Sequence, residues 1–120
     1  MYKSYIVYLQ HILQECQYIN SVITDNLPMY QFLSDETLKR AVARSLEIIG
    51  EATKKIPADV KYKWNGISWK HMAGMRDKLI HDYMGVNYLI VWDVAKNIIP
   101  DLIPQIETII IKEQSDSFNK

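Results

Sequence analysis

The sequence predicts an all-α domain, an up-and-down bundle of four helices. Three observations predict it. Apolar residues recur at steps of three and four through most of the chain. No segment sustains the alternation of a half-buried strand. The interruptions carry stop and turn residues: "NLP" at 26–28, Pro57, Asn65-Gly66 and "MGVN" at 84–87. With 120 residues, 48% of them hydrophobic, the chain fits one domain, 1–120, with enough apolar mass for a core.

The first helix is predicted over 3–25, where Tyr5, Ile6, Leu9, Ile12, Leu13, Cys16, Ile19, Val22 and Ile23 keep the helical step. Pro28 disfavours helical backbone in the residue before it and so ends the run. The second helix, 34–57, is the best marked. Ser34 or Asp35 can cap it, and Asp35 and Glu36 lie at the positive end of its dipole. Leu38, Val42, Leu46, Ile49, Ala52 and Ile56 form its apolar stripe, and Arg40, Arg44, Glu47 and Glu51 a polar ridge. Gly50 costs about 1 kcal/mol in a helix relative to Ala, so it marks either a close helix–helix approach or a tolerated glycine.

Residues 58–67 are expected to be a loop. The third helix is predicted over 68–83, with Ser68 as cap and Gly85 closing it. The fourth runs from Val86 to about Glu113, with a kink or break near 97–104, where Pro100 and Pro104 fall. Within it "TIIIKE" (108–113) is β-branched and the weakest point of the helical reading. The polar tail 114–120 is expected to fray. The chain carries eight Tyr, three Trp and two Phe, enough for one helix face to be buried in a dimer.

No run of 18 apolar residues appears, so no membrane span is expected. The N-terminus lacks the apolar region and cleavage site of a signal peptide. The single cysteine, Cys16, reads as a buried small hydrophobe, and a cytoplasmic location follows as the default. His11, His71 and His81 have no metal-ligand spacing and one cysteine adds no ligand pair, so no metal or other cofactor is expected. Glycine-rich phosphate loops and G-x-S-x-G are absent.

Net charge is zero, but its distribution is uneven. Residues 39–78 hold ten of the fourteen basic residues and four acids, so that span is +6 and the two ends together are −6. A polyanion can be held by the middle while the ends face away.

The candidate site is "GMRDKLIHDYMG" (74–85). On a helix Asp77 and His81 are i, i+4 neighbours, and Arg76 and Tyr83 lie about 20° apart. Asp77 can accept from one ring nitrogen of His81, leaving the other for proton transfer. Arg76 can fork onto a phosphate. Arg76 and His81 are about 140° apart on an ideal helix. They converge on one substrate if the site lies between the faces, if the helix is distorted after Leu79, or if a second protomer closes the gap. The same residues also suit an ordinary surface, where such an Asp–His pair stabilises by about 0.2–0.5 kcal/mol.

Arg76-Asp77-x-x-x-His81-x-Tyr83 resembles the R-x4-H-x-Y motif of the HepT-like proteins, HEPN-domain toxins of bacterial and archaeal toxin–antitoxin pairs. The resemblance extends to "RAVARSLEIIGEATKKIP" (40–57), "ISWKHMAGMRDKLIHDYMGV" (67–86) and "VWDVAKNIIPDLIPQIE" (91–107), most of residues 34–110. It implies a four- to five-helix bundle of HEPN type, forming a homodimer or higher oligomer with two motifs facing one cleft. It also implies a metal-independent endoribonuclease. His81 is then the general base or acid, Arg76 stabilises the phosphate in the transition state, and Asp77 orients the site. Tyr83 is the tyrosine to which a partner nucleotidyltransferase antitoxin adds AMP. Arg40, Arg44 and Lys78 become candidate contacts to RNA or to that partner. The alternative is a non-catalytic dimeric helical binding partner of a nucleotidyltransferase.

Overall fold

The computed structural model describes residues 4–79 and 85–118, the side chains of 116–118 excepted. Eight helices and no strand occur among the described residues: α1 (Tyr5–Val22), α2 (Met29–Ser34), α3 (Glu36–Lys54), α4 (Ala58–Lys63), α5 (Trp69–Ala73), α6 (Met75–Leu79), α7 (Tyr88–Asn97) and α8 (Ile99–Phe118). The expected all-α bundle is the one formed. Helix α1 packs chiefly on α3 and α8, α7 closes against α3 and α8, and α5 and α6 lie on the other flank of α3.

The apolar stripes make the core. Leu9, Ile12, Cys16 and Ile19 of α1 meet Val42, Leu46 and Ile49 of α3 and Ile99, Leu102, Ile106 and Ile109 of α8 in one buried cluster. Each such aliphatic side chain contributes about 1.5–3 kcal/mol on burial. Cys16 is among them, and burial, helped by the charge of Glu15, pushes its thiol up to about 12. It behaves as a hydrophobe with little thiolate character.

The caps explain several boundaries. Asp35 Oδ1 accepts from Leu38 N at 2.9 Å and starts α3. Asn87 Oδ1 accepts from Leu89 N and Ile90 N and starts α7. Ser68 stands at the start of α5 but makes no side-chain capping bond. Gly85 has φ +97°, a backbone that L side chains rarely adopt; the helix end it was expected to cap lies outside the described residues.

Three expectations are corrected, and a fourth, the break near 97–104, is met. Residues 58–63 are helical, not loop, because Pro57 serves as the N-cap of α4: its carbonyl accepts from Lys61 N. Asp59 in the first turn and Lys61 and Lys63 in the last suit that dipole. The Asn65-Gly66 turn stands. A short helix, α2, occupies 29–34 and buries Phe32 completely against Trp92, ring centroids 5.3 Å apart. The expected helix 68–83 is interrupted at Gly74, which is the C-cap of α5, and α6 begins anew at Met75. The break in the fourth helix falls at Ile98, ahead of both prolines. Pro100 then sits in the first turn of α8, where a missing N–H costs little. Pro104 is carried inside α8, which continues through "TIIIKE" to Phe118.

Gly50 is a point of close approach. A Cβ there would lie 3.3 Å from Arg76 N and Met72 O and 3.6 Å from Ala73 O, all backbone atoms. Helix α3 therefore lies directly against the α5–α6 junction. Gly50→Val is expected to destabilise by about 1–3 kcal/mol through overpacking. Gly50→Ala is expected to be much milder, because about 1 kcal/mol of helix propensity offsets the crowding. Equal urea midpoints for Gly50→Val and wild type would contradict the close packing.

One buried charge was not foreseen. Glu113 of α8 is 2% exposed. It accepts hydrogen bonds from Tyr5 Oη, from Lys63 Nζ at 2.9 Å and from Trp64 Nε1 at 3.0 Å. Burial by itself raises its pKa, but the donors Lys63, Tyr5 and Trp64 outweigh that and hold it at about 2.

Candidate active site

Helix α6 is anchored by Met75 and Leu79, one turn apart and both buried. That anchoring turns Arg76, Asp77 and Lys78 outward, and all three are exposed. Arg76 and Asp77 turn toward α3, since each forms an ion pair with it. Arg76 Nε lies 3.6 Å from Glu51 Oε1, and Asp77 Oδ2 lies 3.9 Å from Lys54 Nζ. Glu51 Oε1 is also 3.8 Å from Arg44 Nη1, which in turn bonds Glu47 Oε2 at 3.2 Å. One carboxylate thus stands between two guanidinium groups from different helices. The pairs of Glu51 with Arg76 and Arg44 and of Asp77 with Lys54 are about half-exposed or more, so each adds at most about 1 kcal/mol of stability. Their consequence is positional: the guanidinium of Arg76 is held over α3, beside the Gly50 contact.

The sequence candidates separate accordingly. Arg44 joins Arg76 through Glu51. Arg40 does not; it pairs with Glu36 at 3.4 Å, toward the start of α3. Lys78 points away from Arg76, as expected two residues on along a helix, and lines a cleft that also includes His71. His81 and Tyr83 lie outside the described residues, and with them the anticipated Asp77–His81 pair. Glu51 and Lys54 were overlooked as site residues. Glu51 was legible only as a member of the polar ridge, although its position directly after Gly50 was a usable signal. Among the described residues, no three His, Cys, Asp or Glu side chains come together as a metal site. No helix among them is long and apolar enough to cross a membrane.

This arrangement presents a half-exposed arginine on the short helix that leads into His81, steadied by a carboxylate from α3. Such a guanidinium can engage a phosphate by two parallel bonds. Known proteins are similar to this chain. The family model described as Ribonuclease HepT-like matches residues 12–109, beginning inside α1, well ahead of the blocks that carry the resemblance in the sequence. A protein named "Putative RNase" from Caldanaerobacter subterraneus subsp. tengcongensis is 47% identical over 107 residues, 89% of this chain and 95% of the relative. Another "Putative RNase", from Methanocaldococcus jannaschii, is 48% identical over 96 residues, 78% of this chain and 79% of the relative. The "Probable ribonuclease HepT" of Thermococcus cleftensis is 43% identical over 102 residues, 85% of this chain and 92% of the relative. No solved structure matches the chain. With a family match spanning 12–109 and relatives alike over nearly their whole length, the chain belongs to the HepT-like ribonuclease family.

Proposed function

We propose that this protein is a metal-independent endoribonuclease, the toxin of a toxin–antitoxin pair acting in the cytoplasm. The observation that carries the reading is Arg76, exposed on α6, held by Glu51 and five residues ahead of His81 in a HepT-like chain. In the reaction His81 removes the proton from a ribose 2′-hydroxyl, and the 2′-oxygen attacks the adjacent phosphorus. The bond from phosphorus to the 5′-oxygen breaks, and that oxygen takes up a proton. The products are a 2′,3′-cyclic phosphate and a 5′-hydroxyl. Arg76 stabilises the charge on the pentavalent phosphate, Glu51 holds Arg76 in place, and Asp77 orients the site. DNA lacks the 2′-hydroxyl and is not cut.

A homodimer brings two copies of Arg76 and His81 to one cleft. A partner nucleotidyltransferase neutralises the toxin by adding AMP to Tyr83, placing an anion beside Arg76 and blocking the phosphate site by charge and volume. Arg40, Arg44 and Lys78 contact RNA or that partner.

The test is RNA cleavage by purified protein in EDTA, wild type beside His81→Ala, with the intact mass of each sample recorded. Cleavage by wild type alone, leaving cyclic phosphate ends, is expected. Absence of cleavage by wild type of unmodified mass would overturn the reading.

A further inference from the structure

Two arginines from different helices approach one oxygen of Glu51. Arg76 Nε of α6 lies 3.6 Å from Oε1, and Arg44 Nη1 of α3 lies 3.8 Å from the same atom. Both distances exceed the roughly 2.7–2.9 Å of a charge-assisted N–H···O bond. The carboxylate therefore balances two guanidinium groups and bonds closely to neither. All three side chains are about half-exposed or more, so the place between the arginines is open to solvent.

The frame around that place is fixed. Gly50 sets α3 against the α5–α6 junction, where a Cβ would lie 3.3 Å from Arg76 N, and Met75 and Leu79 seat α6 in the core. Arg44 keeps a closer partner on its own helix, Glu47 Oε2 at 3.2 Å, which steadies it whether or not Glu51 is present. The acid of α6, Asp77, is paired with Lys54 at 3.9 Å. Two guanidinium groups this near to one oxygen repel each other unless an anion stands between them. Glu51 supplies that anion with one oxygen. A phosphodiester offers two unesterified oxygens, one for each guanidinium, and arginine meets such oxygens with parallel N–H···O bonds.

We infer that Arg44 and Arg76 together form the seat for one phosphate of the RNA backbone, and that Glu51 fills this seat in the free protein and yields it to substrate. The inference rests on the ribonuclease reading. It adds Arg44 as a phosphate-binding residue and makes Glu51 an internal competitor as well as the group that gathers the arginines. Its carboxylate is half-exposed and can turn to water as phosphate enters. Arg40, one turn earlier on α3, is outside the seat and pairs with Glu36. Loss of the Glu51 charge is therefore expected to change binding and rate in opposite directions: phosphate enters more easily, but Arg76 is no longer placed in advance.

The probe is a fluorescent 2′-O-methyl oligoribonucleotide of about ten nucleotides, which lacks the attacking hydroxyl and is read by anisotropy with the full chain. Glu51→Gln is expected to bind it about fivefold more tightly than wild type. Its cleavage of RNA is expected to show a lower KM and a lower kcat. Arg44→Ala is expected to bind about tenfold more weakly and to flatten the slope of log Kd against log salt by about 0.7, one phosphate contact on a single strand. In the Arg44→Ala background, Glu51→Gln is expected to gain less, because the two residues act on one seat. Glu107→Gln removes the same charge from α8 and is expected to bind like wild type. These side chains are exposed, so melting temperatures are expected to stay near wild type. Glu51→Gln that binds no more tightly than wild type, or gains no more than Glu107→Gln, overturns the inference. So does Arg44→Ala with the affinity and salt slope of wild type, or wild type that does not bind the probe. Because the probe is not cut, wild type that follows this binding pattern but leaves RNA intact defeats the ribonuclease reading and leaves the phosphate seat standing.

Discussion

Arg76→Ala and His81→Ala proteins are each expected to cut RNA at least about 10²- to 10³-fold more slowly than wild type, the usual consequence of removing one group that meets the charge of the transition state. The rate is best read at saturating RNA, since a group acting only in the transition state lowers kcat. Stability is expected to stay near wild type for Arg76→Ala. The side chain is half-exposed and its pair with Glu51 spans 3.6 Å, so its removal costs no more than about 1 kcal/mol. Activity and folding therefore separate cleanly at this position. Lysine does not replace the fork of a guanidinium, and Arg76→Lys is expected to recover only part of the rate. Glu51→Gln keeps the shape but removes the charge between Arg44 and Arg76, so a smaller loss is expected there. An Arg76→Ala enzyme with the wild-type kcat would remove Arg76 from the chemistry, and with it the meaning given to the α3–α6 contact.

Glu113→Gln is expected to destabilise the protein by an amount on the order of 3 kcal/mol at neutral pH, from a carboxyl held at about 2 against an ordinary 4.5. The sign follows from the depressed value. Stability from this group is fully present above pH 4.5 and is lost as pH falls from there toward 2. The difference between wild type and variant should therefore be large at pH 7 and shrink steadily below 4.5. Urea melts of both proteins across pH 3 to 7 are the measurement. A difference that stays constant over that range would mean that the carboxylate charge is not what Tyr5, Lys63 and Trp64 hold. The variant also frees Trp64, so a rise in its fluorescence mobility at neutral pH is expected alongside the loss of stability.

Much of the bundle was legible because helices are written in short-range pattern. The stripe from Leu38 to Ile56, the acid cap at Asp35 and the apolar period of α1 depend on residues within a few positions of each other. Elements shorter than two turns were missed, since six residues do not display a period. Helix α2 is an example, anchored by Phe32 with Leu33 beside it. Pro57 was read as a stop when it also starts α4, because the same fixed φ suits both ends. The site motif was legible as spacing, and its arginine is exposed on a helix held by Met75 and Leu79.

By itself the sequence determined the helical class, the long helices, the capping at Asp35, the burial of Cys16 and the residues of the motif. Those features follow from local periodicity and from the chemistry of single side chains. Only the tertiary structure decided what Gly50 approaches, which carboxylate holds Arg76, and that the charge of Glu113 on α8 is buried. Glu113 finds its donors 108 and 50 positions away, and Glu51 finds Arg76 across two helices. Pattern along a chain sets which face of a helix is apolar. Partners for its charges are set by how the helices pack, and packing unites residues that no sequence window contains.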